Sequence, residues 1–127
     1  MGKKEKIGIG TDIESIGRFN KMLTDNPLFL KKVFTETEIA YCRSKHNPSQ
    51  HFAARFVGKE AIIKALADLG IPSVNFTMIE IINTATGVPK GILTNPKYSN
   101  IQVNISLSHN STMAIAFAVV RQVEHDE

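Results

Sequence analysis

Ile101-Gln102-Val103-Asn104-Ile105-Ser106-Leu107-Ser108 alternates apolar and polar residues without a break. Successive side chains of a strand point to opposite faces, so this stretch predicts a half-buried β-strand. Beyond the turn residues Ser108-His109-Asn110-Ser111, Met113 to Val120 predicts another strand, with Ala114, Ala116 and Ala118 facing one way. Upstream, Met78 to Ile82 and Val88 to Leu93 are strand-like on either side of Thr84-Ala85-Thr86-Gly87, a turn sequence.

The first half of the chain follows a different period. Ile16, Phe19, Met22 and Leu23 lie on one side of a helix over about residues 15–23, broken by Asp25-Asn26-Pro27. Leu28, Phe29, Leu30 and Val33 give a second short helical stretch. Thr35-Glu36-Thr37-Glu38 is a capping box, in which Thr35 accepts from the backbone three residues on and Glu38 reaches back. The helix it opens runs to about Lys45 and stops near Asn47-Pro48. The longest helix is expected over about residues 49–69, with a stripe of Phe52, Phe56, Ile63 and Leu66, Gly70 just past its end and Pro72 beyond. Before all of these, Ile7 and Ile9 alternate with Gly8 and Gly10, a short strand whose glycines admit close approach of backbone or ligand, with Asp12 at its end. The expected fold is therefore α+β. An N-terminal strand and helices pack on an antiparallel sheet formed mainly by the C-terminal half, in one domain spanning 1–127.

Composition narrows the function. The 127 residues are 43% hydrophobic and 21% charged, as in a soluble globular chain, and no apolar run approaches the ~20 residues that span a bilayer. Met1 to Lys6 lacks the apolar stretch of a secretory signal, so the expected location is cytoplasmic, with no membrane association. The single cysteine, Cys42, excludes a disulfide framework and reads as a packed thiol. Residues 1–64 hold 12 Lys and Arg against 7 Asp and Glu, while residues 65–127 hold 3 against 5. A basic first half favours an anionic partner, or else is a solvated helical face. Nucleic acid is not expected, because the chain has no Trp, two Tyr and no known binding signature.

Two segments carry the candidate chemistry. Asp12 closes the Gly8-Ile9-Gly10-Thr11 strand, and Arg55, Lys59, Glu60 and Lys64 fall in ten residues of the longest helix. Taken singly, Asp12 is an N-cap for the helix that follows, and Glu60 with Lys64 is an i, i+4 surface ion pair. Taken together they offer two hard oxygen ligands and several phosphate-seeking cations, the inventory for a divalent metal held against a pyrophosphate. Mg²⁺ usually takes one or two protein carboxylates and leaves its other positions to water and phosphate oxygens. His109, between two strands and flanked by hydroxyls and an amide, is either an exposed turn histidine or an anion ligand. His46, His51 and His125 have no metal-ligand spacing, and no zinc cluster or nucleophile elbow occurs.

Three of these segments, in order, carry a resemblance. Gly8-Ile-Gly-Thr-Asp12-Ile, Arg55-Phe-x-x-Lys59-Glu60-Ala61-x-x-Lys64-Ala65 and Ser106-x-Ser108-His109 resemble the motifs of the holo-(acyl carrier protein) synthases, the small 4′-phosphopantetheinyl transferases. The match runs from about residue 6 to 121, and Thr35-Glu-x-Glu38 and Gly87-x-Pro89 fit it as well. The resemblance implies transfer of the phosphopantetheine arm of coenzyme A to a serine of apo acyl carrier protein, with release of adenosine 3′,5′-bisphosphate. It implies Asp12 and Glu60 as Mg²⁺ ligands, Lys64 at the phosphates, and Arg55, His109 and Asn110 near the 3′-phosphate and adenosine. It further implies Gly87 and Pro89 lining the adenine site, and Arg18 and Lys21 on the first helix contacting the carrier protein. Members of the family are homotrimers with active sites at subunit interfaces. The small-residue face at Ala114, Ala116 and Ala118 suits such a contact, and a monomer core equally. Two departures stand out: Val57-Gly58 replaces a common pair of alanines, and Asn110 a usual threonine. The alternative is a non-catalytic module for CoA or a nucleotide, with Asp12 and Glu60 purely structural.

Overall fold

Two glycines decide how the main helix meets the sheet. In the computed structural model, which describes residues 4–123, strand β1 (Glu5–Ser15) pairs antiparallel with β5 (Met113–Val123), and β5 pairs with β4 (Ile101–His109). Helix α4 (Pro48–Asp68) lies across this sheet and packs most extensively on β1. A Cβ on Gly10 would stand 2.1 Å from the carbonyl oxygen of Ala61, and one on Gly8 2.2 Å from that of Ala65. Only glycine leaves room for the helix backbone there. The close approach expected at these glycines is thus to backbone.

Around α4 stand α1 (Ile16–Asp25), α2 (Phe29–Val33) and α3 (Glu36–Arg43), with a second, two-stranded sheet of β2 (Ile79–Asn83) and β3 (Pro89–Leu93). The C-terminal strands therefore form two sheets where one was expected. Phe19, Phe29, Phe34, Phe52, Phe56 and Phe76 make a chain of edge-on, tilted and stacked ring contacts around α4. Burying each large ring contributes on the order of 2 kcal/mol. Helix α4 is buried on more than one side, since Ala53, Ala54, Val57, Ala61, Ile62 and Ala65 join the expected Phe52 and Leu66. The glycine at 58 has a packing reason: a Cβ there would meet the tips of Ile81 and Leu107 at 2.7 and 3.0 Å.

Several local expectations hold. Thr35 and Glu38 form the capping box, Gly70 follows α4 with φ +85°, and Gly87 has φ +84° in the β2–β3 turn. Cys42 is fully buried, and burial pushes its thiol up to about 11. Two expectations are corrected. Strand β1 runs on to Ser15, so Asp12 lies inside it opposite Ala116, and Ser15 rather than Asp12 caps α1 by accepting from the Arg18 N–H at 3.2 Å. Of the two readings open for Ala114, Ala116 and Ala118, the monomer core is the one found, for all three are buried beneath α4. The opposite face of the same sheet is also apolar, with Ile7, Ile9, Ile13, Ile115 and Phe117 each 45–59% exposed. Met1 to Lys3 of the start considered above, and His125, lie outside the described residues. Among the described residues no helix is long and apolar enough to cross a membrane.

Candidate active site

The seating of α4 on β1 brings the two sequence-predicted carboxylates to one place. Asp12 and Glu14 alternate with exposed Ile13 and share the sheet face of Ala116 and Ala114, against which α4 packs. Glu60 projects from α4 toward them. Its carboxyl is held above its ordinary value of 4.5, first by burial and then by the negative charge of Asp12. Lys64 opposes that shift and Glu14 adds to it. The i, i+4 ion pair expected between Glu60 and Lys64 is not how Lys64 is used. Its Nζ donates to Asp12 Oδ1 and to the Thr11 carbonyl, both at 3.1 Å, while its side chain stays half exposed.

Two carboxylates that repel each other beside a lysine fit a hard divalent cation, which would relieve the repulsion. Among the described residues no group of three or more His, Cys, Asp or Glu could cage a metal unaided. The donor set therefore suits a cation such as Mg²⁺ that keeps water and takes phosphate oxygens.

A second cluster gathers around Arg55, which also lies on α4 and is almost wholly buried. Its guanidinium lies 4.1 Å over the Tyr41 ring, and Nη2 donates to Asn83 Oδ1 at 2.6 Å. Asn83 in turn donates to the Gly87 carbonyl at 3.1 Å, which ties Arg55 to the β2–β3 turn that ends at Pro89. Arg55 Nε is buried with no hydrogen-bond partner among the described residues. On the other side, the His51 ring meets Tyr41 and His109 edge-on, each at 6.0 Å between centroids. Asn110 lies at the same end of the sheet, but its Oδ1 serves the β4–β5 hairpin. It accepts from the N–H groups of Thr112 at 2.9 Å and Met113 at 2.8 Å.

Lys59, between Arg55 and Glu60, belongs to neither cluster. It is fully buried, pairs with Glu38 at 2.6 Å, and donates to the Val33 and Phe76 carbonyls at 2.6 and 3.0 Å. Glu38 accepts from the Thr35 and Ile81 N–H groups, both at 2.8 Å. The pair ties α4 to α3 and β2, fixing which side of α4 presents Arg55 and Glu60.

A family model for the 4′-phosphopantetheinyl transferase superfamily matches residues 8–118. A holo-[acyl-carrier-protein] synthase of Clostridium perfringens is 39% identical over 124 residues, covering 90% of this chain and 92% of its own length. The chain belongs to the holo-[acyl-carrier-protein] synthases of this superfamily. The holo-[acyl-carrier-protein] synthase of Helicobacter pylori, solved in complex with coenzyme A, is 31% identical with a TM-score of 0.75. That likeness covers 88% of this chain and 98% of the solved one. The Bacillus anthracis enzyme, solved in complex with CoA (3′,5′-ADP), is 29% identical with a TM-score of 0.75, covering 91% and 96%.

In this synthase the structure joins Asp12, Glu60 and Lys64 in one group and Arg55, Gly87 and His109 in another. Arg18 and Lys21 are exposed on α1, with Arg18 in its first turn past Ser15. Sequence reasoning missed Tyr41, His51, Asn83 and Glu14. His51 stands four residues before Arg55 and Glu14 two after Asp12, spacings that place each pair on one face. Tyr41 and Asn83 reach Arg55 from other elements and carry no local signal.

Proposed function

We propose that this enzyme transfers the 4′-phosphopantetheine arm of coenzyme A to a serine of apo acyl carrier protein in a Mg²⁺-dependent reaction. The serine hydroxyl gives up its proton to solvent as its oxygen bonds to the phosphorus that carries pantetheine, the pyrophosphate P–O bond breaks, and adenosine 3′,5′-bisphosphate leaves. The observation that carries the reading is one helix, α4, with Glu60 facing Asp12 on one side and Arg55, five residues earlier and about 140° around the helix, beside His51 and His109 on another. The first cluster suits a metal and a pyrophosphate and the second a phosphorylated nucleoside, the two ends of one ligand that neighbouring copies of the chain would hold between them.

Asp12 and Glu60 hold the metal, which when bound neutralises charge on the pyrophosphate. Lys64 contacts the phosphates and counters charge developing on the leaving group. Arg55 and His109, with Asn110 at the hairpin, bind the 3′-phosphate end, and Gly87 and Pro89 line the adenine site. Phosphoryl transfer depends on positioning and charge more than on covalent catalysis, so the reading leaves the nucleophile's role to the carrier serine. Arg18 and Lys21 meet the acidic carrier protein. Residues 1–127 act as one domain in the cytoplasm. The exposed apolar face at Ile7, Ile9, Ile13, Ile115 and Phe117 supports assembly as a homotrimer with the active sites at subunit contacts.

The test is to incubate the protein with apo acyl carrier protein, CoA and Mg²⁺, with and without EDTA, and to weigh the carrier by mass spectrometry. Gain of one phosphopantetheine arm, lost with EDTA, is expected. CoA binding without transfer would favour the binding-module alternative.

A further inference from the structure

His51 has no assigned role in the reaction above, yet it sits inside the cationic cluster. Its ring touches Tyr41 of α3 and His109 of β4, and Arg55 lies one turn along the same helix. Lys45, just past α3, places its Nζ 4.6 Å from the Tyr41 ring, the ring that Arg55 also covers. The charged groups that act on His51 are Arg55, His109 and Lys45, each of which disfavours its positive form. No carboxylate is among the described groups that act on His51, and the buried Arg55 Nε has no partner among the described residues, so the gathering suits an anion. His51 itself is only partly buried.

We propose that His51 is a specificity-determining residue that donates a charge-assisted hydrogen bond, as the imidazolium, to the terminal 3′-phosphate of CoA, and so makes the choice of CoA over dephospho-CoA depend on pH. The proposal rests on the reading that the Arg55 cluster receives the 3′-phosphate end. Burial, followed by Arg55, His109 and Lys45, lowers the ring's pKa below its ordinary 6.5, so the unliganded ring is neutral at neutral pH. A phosphate dianion among the same cations acts with the opposite sign and raises it. Binding therefore takes up a proton, and affinity for the phosphate increases as pH falls through the liganded value. The phosphate takes its own second proton near pH ~6, a background that a variant at His51 shares.

The experiment compares wild type with His51→Phe, which keeps an aromatic ring against Tyr41 and His109. The kcat/KM ratio for CoA over dephospho-CoA is measured at about pH 6 and about pH 8, bracketing the imidazole range. The variant's ratio is expected to be about tenfold below wild type at the lower pH, the order expected for one charge-assisted hydrogen bond, and closer to it at the higher. Calorimetry of adenosine 3′,5′-bisphosphate binding in buffers of different ionisation enthalpy gives a second readout. Wild type is expected to take up more protons than the variant. Equal ratios at both pH values, or equal proton uptake, would overturn the role of His51. A wild-type enzyme that uses dephospho-CoA as well as CoA would instead overturn the reading of the Arg55 cluster itself.

Discussion

Replacing Gly10 with alanine tests whether the site depends on how closely α4 lies on β1. The new Cβ would stand 2.1 Å from the Ala61 carbonyl oxygen, 2.7 Å from the Ala65 nitrogen and 3.0 Å from the Lys64 Cβ. Ordinary contact begins at 3.4 Å, so backbone must part by 1.3 Å, and neither partner is a flexible side-chain tip. Overpacking of this kind costs about 1–3 kcal/mol, which at roughly 4 °C per kcal/mol lowers the melting temperature by about 4–12 °C. The same displacement separates Glu60 and Lys64 from Asp12. Misplacement by about 1 Å at a reacting centre costs on the order of 10²-fold in rate. Gly17→Ala is the control. Its Cβ has only Ser15 Oγ nearby, at 3.9 Å, within the exposed part of α1, so alanine there should stabilise by about 0.5–1 kcal/mol. Thermal melts and the rate of carrier mass gain read both effects. A Gly10→Ala protein that melts and turns over like wild type would refute the argument that glycine seats the helix.

Lys59→Met should lower stability by about 3–5 kcal/mol in urea unfolding, because Glu38 is left buried without its counter-charge. Adding Glu38→Gln should recover part of the loss, and a double variant no more stable than the single one would contradict the buried-pair account. Glu60→Gln should slow transfer by on the order of 10²-fold while removing the cost of a charged carboxyl beside Asp12. A carboxyl raised in the folded state binds protons more tightly there than in the unfolded chain. Stability in EDTA should therefore fall as pH rises from 4.5 through the raised value, and this fall should be smaller in Glu60→Gln. Parallel melting profiles across that window would show that burial and Asp12 together do not raise the Glu60 carboxyl.

What the sequence made legible was whatever a local pattern encodes. The period-two run at 101–108, the Thr35–Glu38 capping box and Gly70 after the long helix were all found where the pattern put them. The pairing of Asp12 with Glu60, 48 positions apart, rests in the sequence on both residue types occurring in one small basic chain and on the family resemblance. Spacing along the chain cannot state a distance across a sheet. The same limit explains the errors. Asp12 looked like a helix cap because aspartate has that propensity, but pairing with β5 extends β1 to Ser15 and gives the cap to that residue. Lys59 looked like one of a row of site cations, yet its ammonium is consumed by Glu38, 21 positions upstream on another helix.

The faces of β5 show why the sequence leaves two readings open for the small-residue face. Ala114, Ala116 and Ala118 and their neighbours Ile115 and Phe117 alternate, and both sets are apolar, so a period-two pattern marks two equivalent faces. The choice between them is made by Gly8 and Gly10 across the sheet, which permit a helix on only the alanine side. Small residues there let α4 come close. The large residues opposite are left exposed, and an apolar face of that kind calls for a covering partner. The glycines that place Glu60 beside Asp12 therefore also decide which face of the sheet remains for another subunit. Closeness of helix to strand and exposure of the outer face are two results of one packing choice.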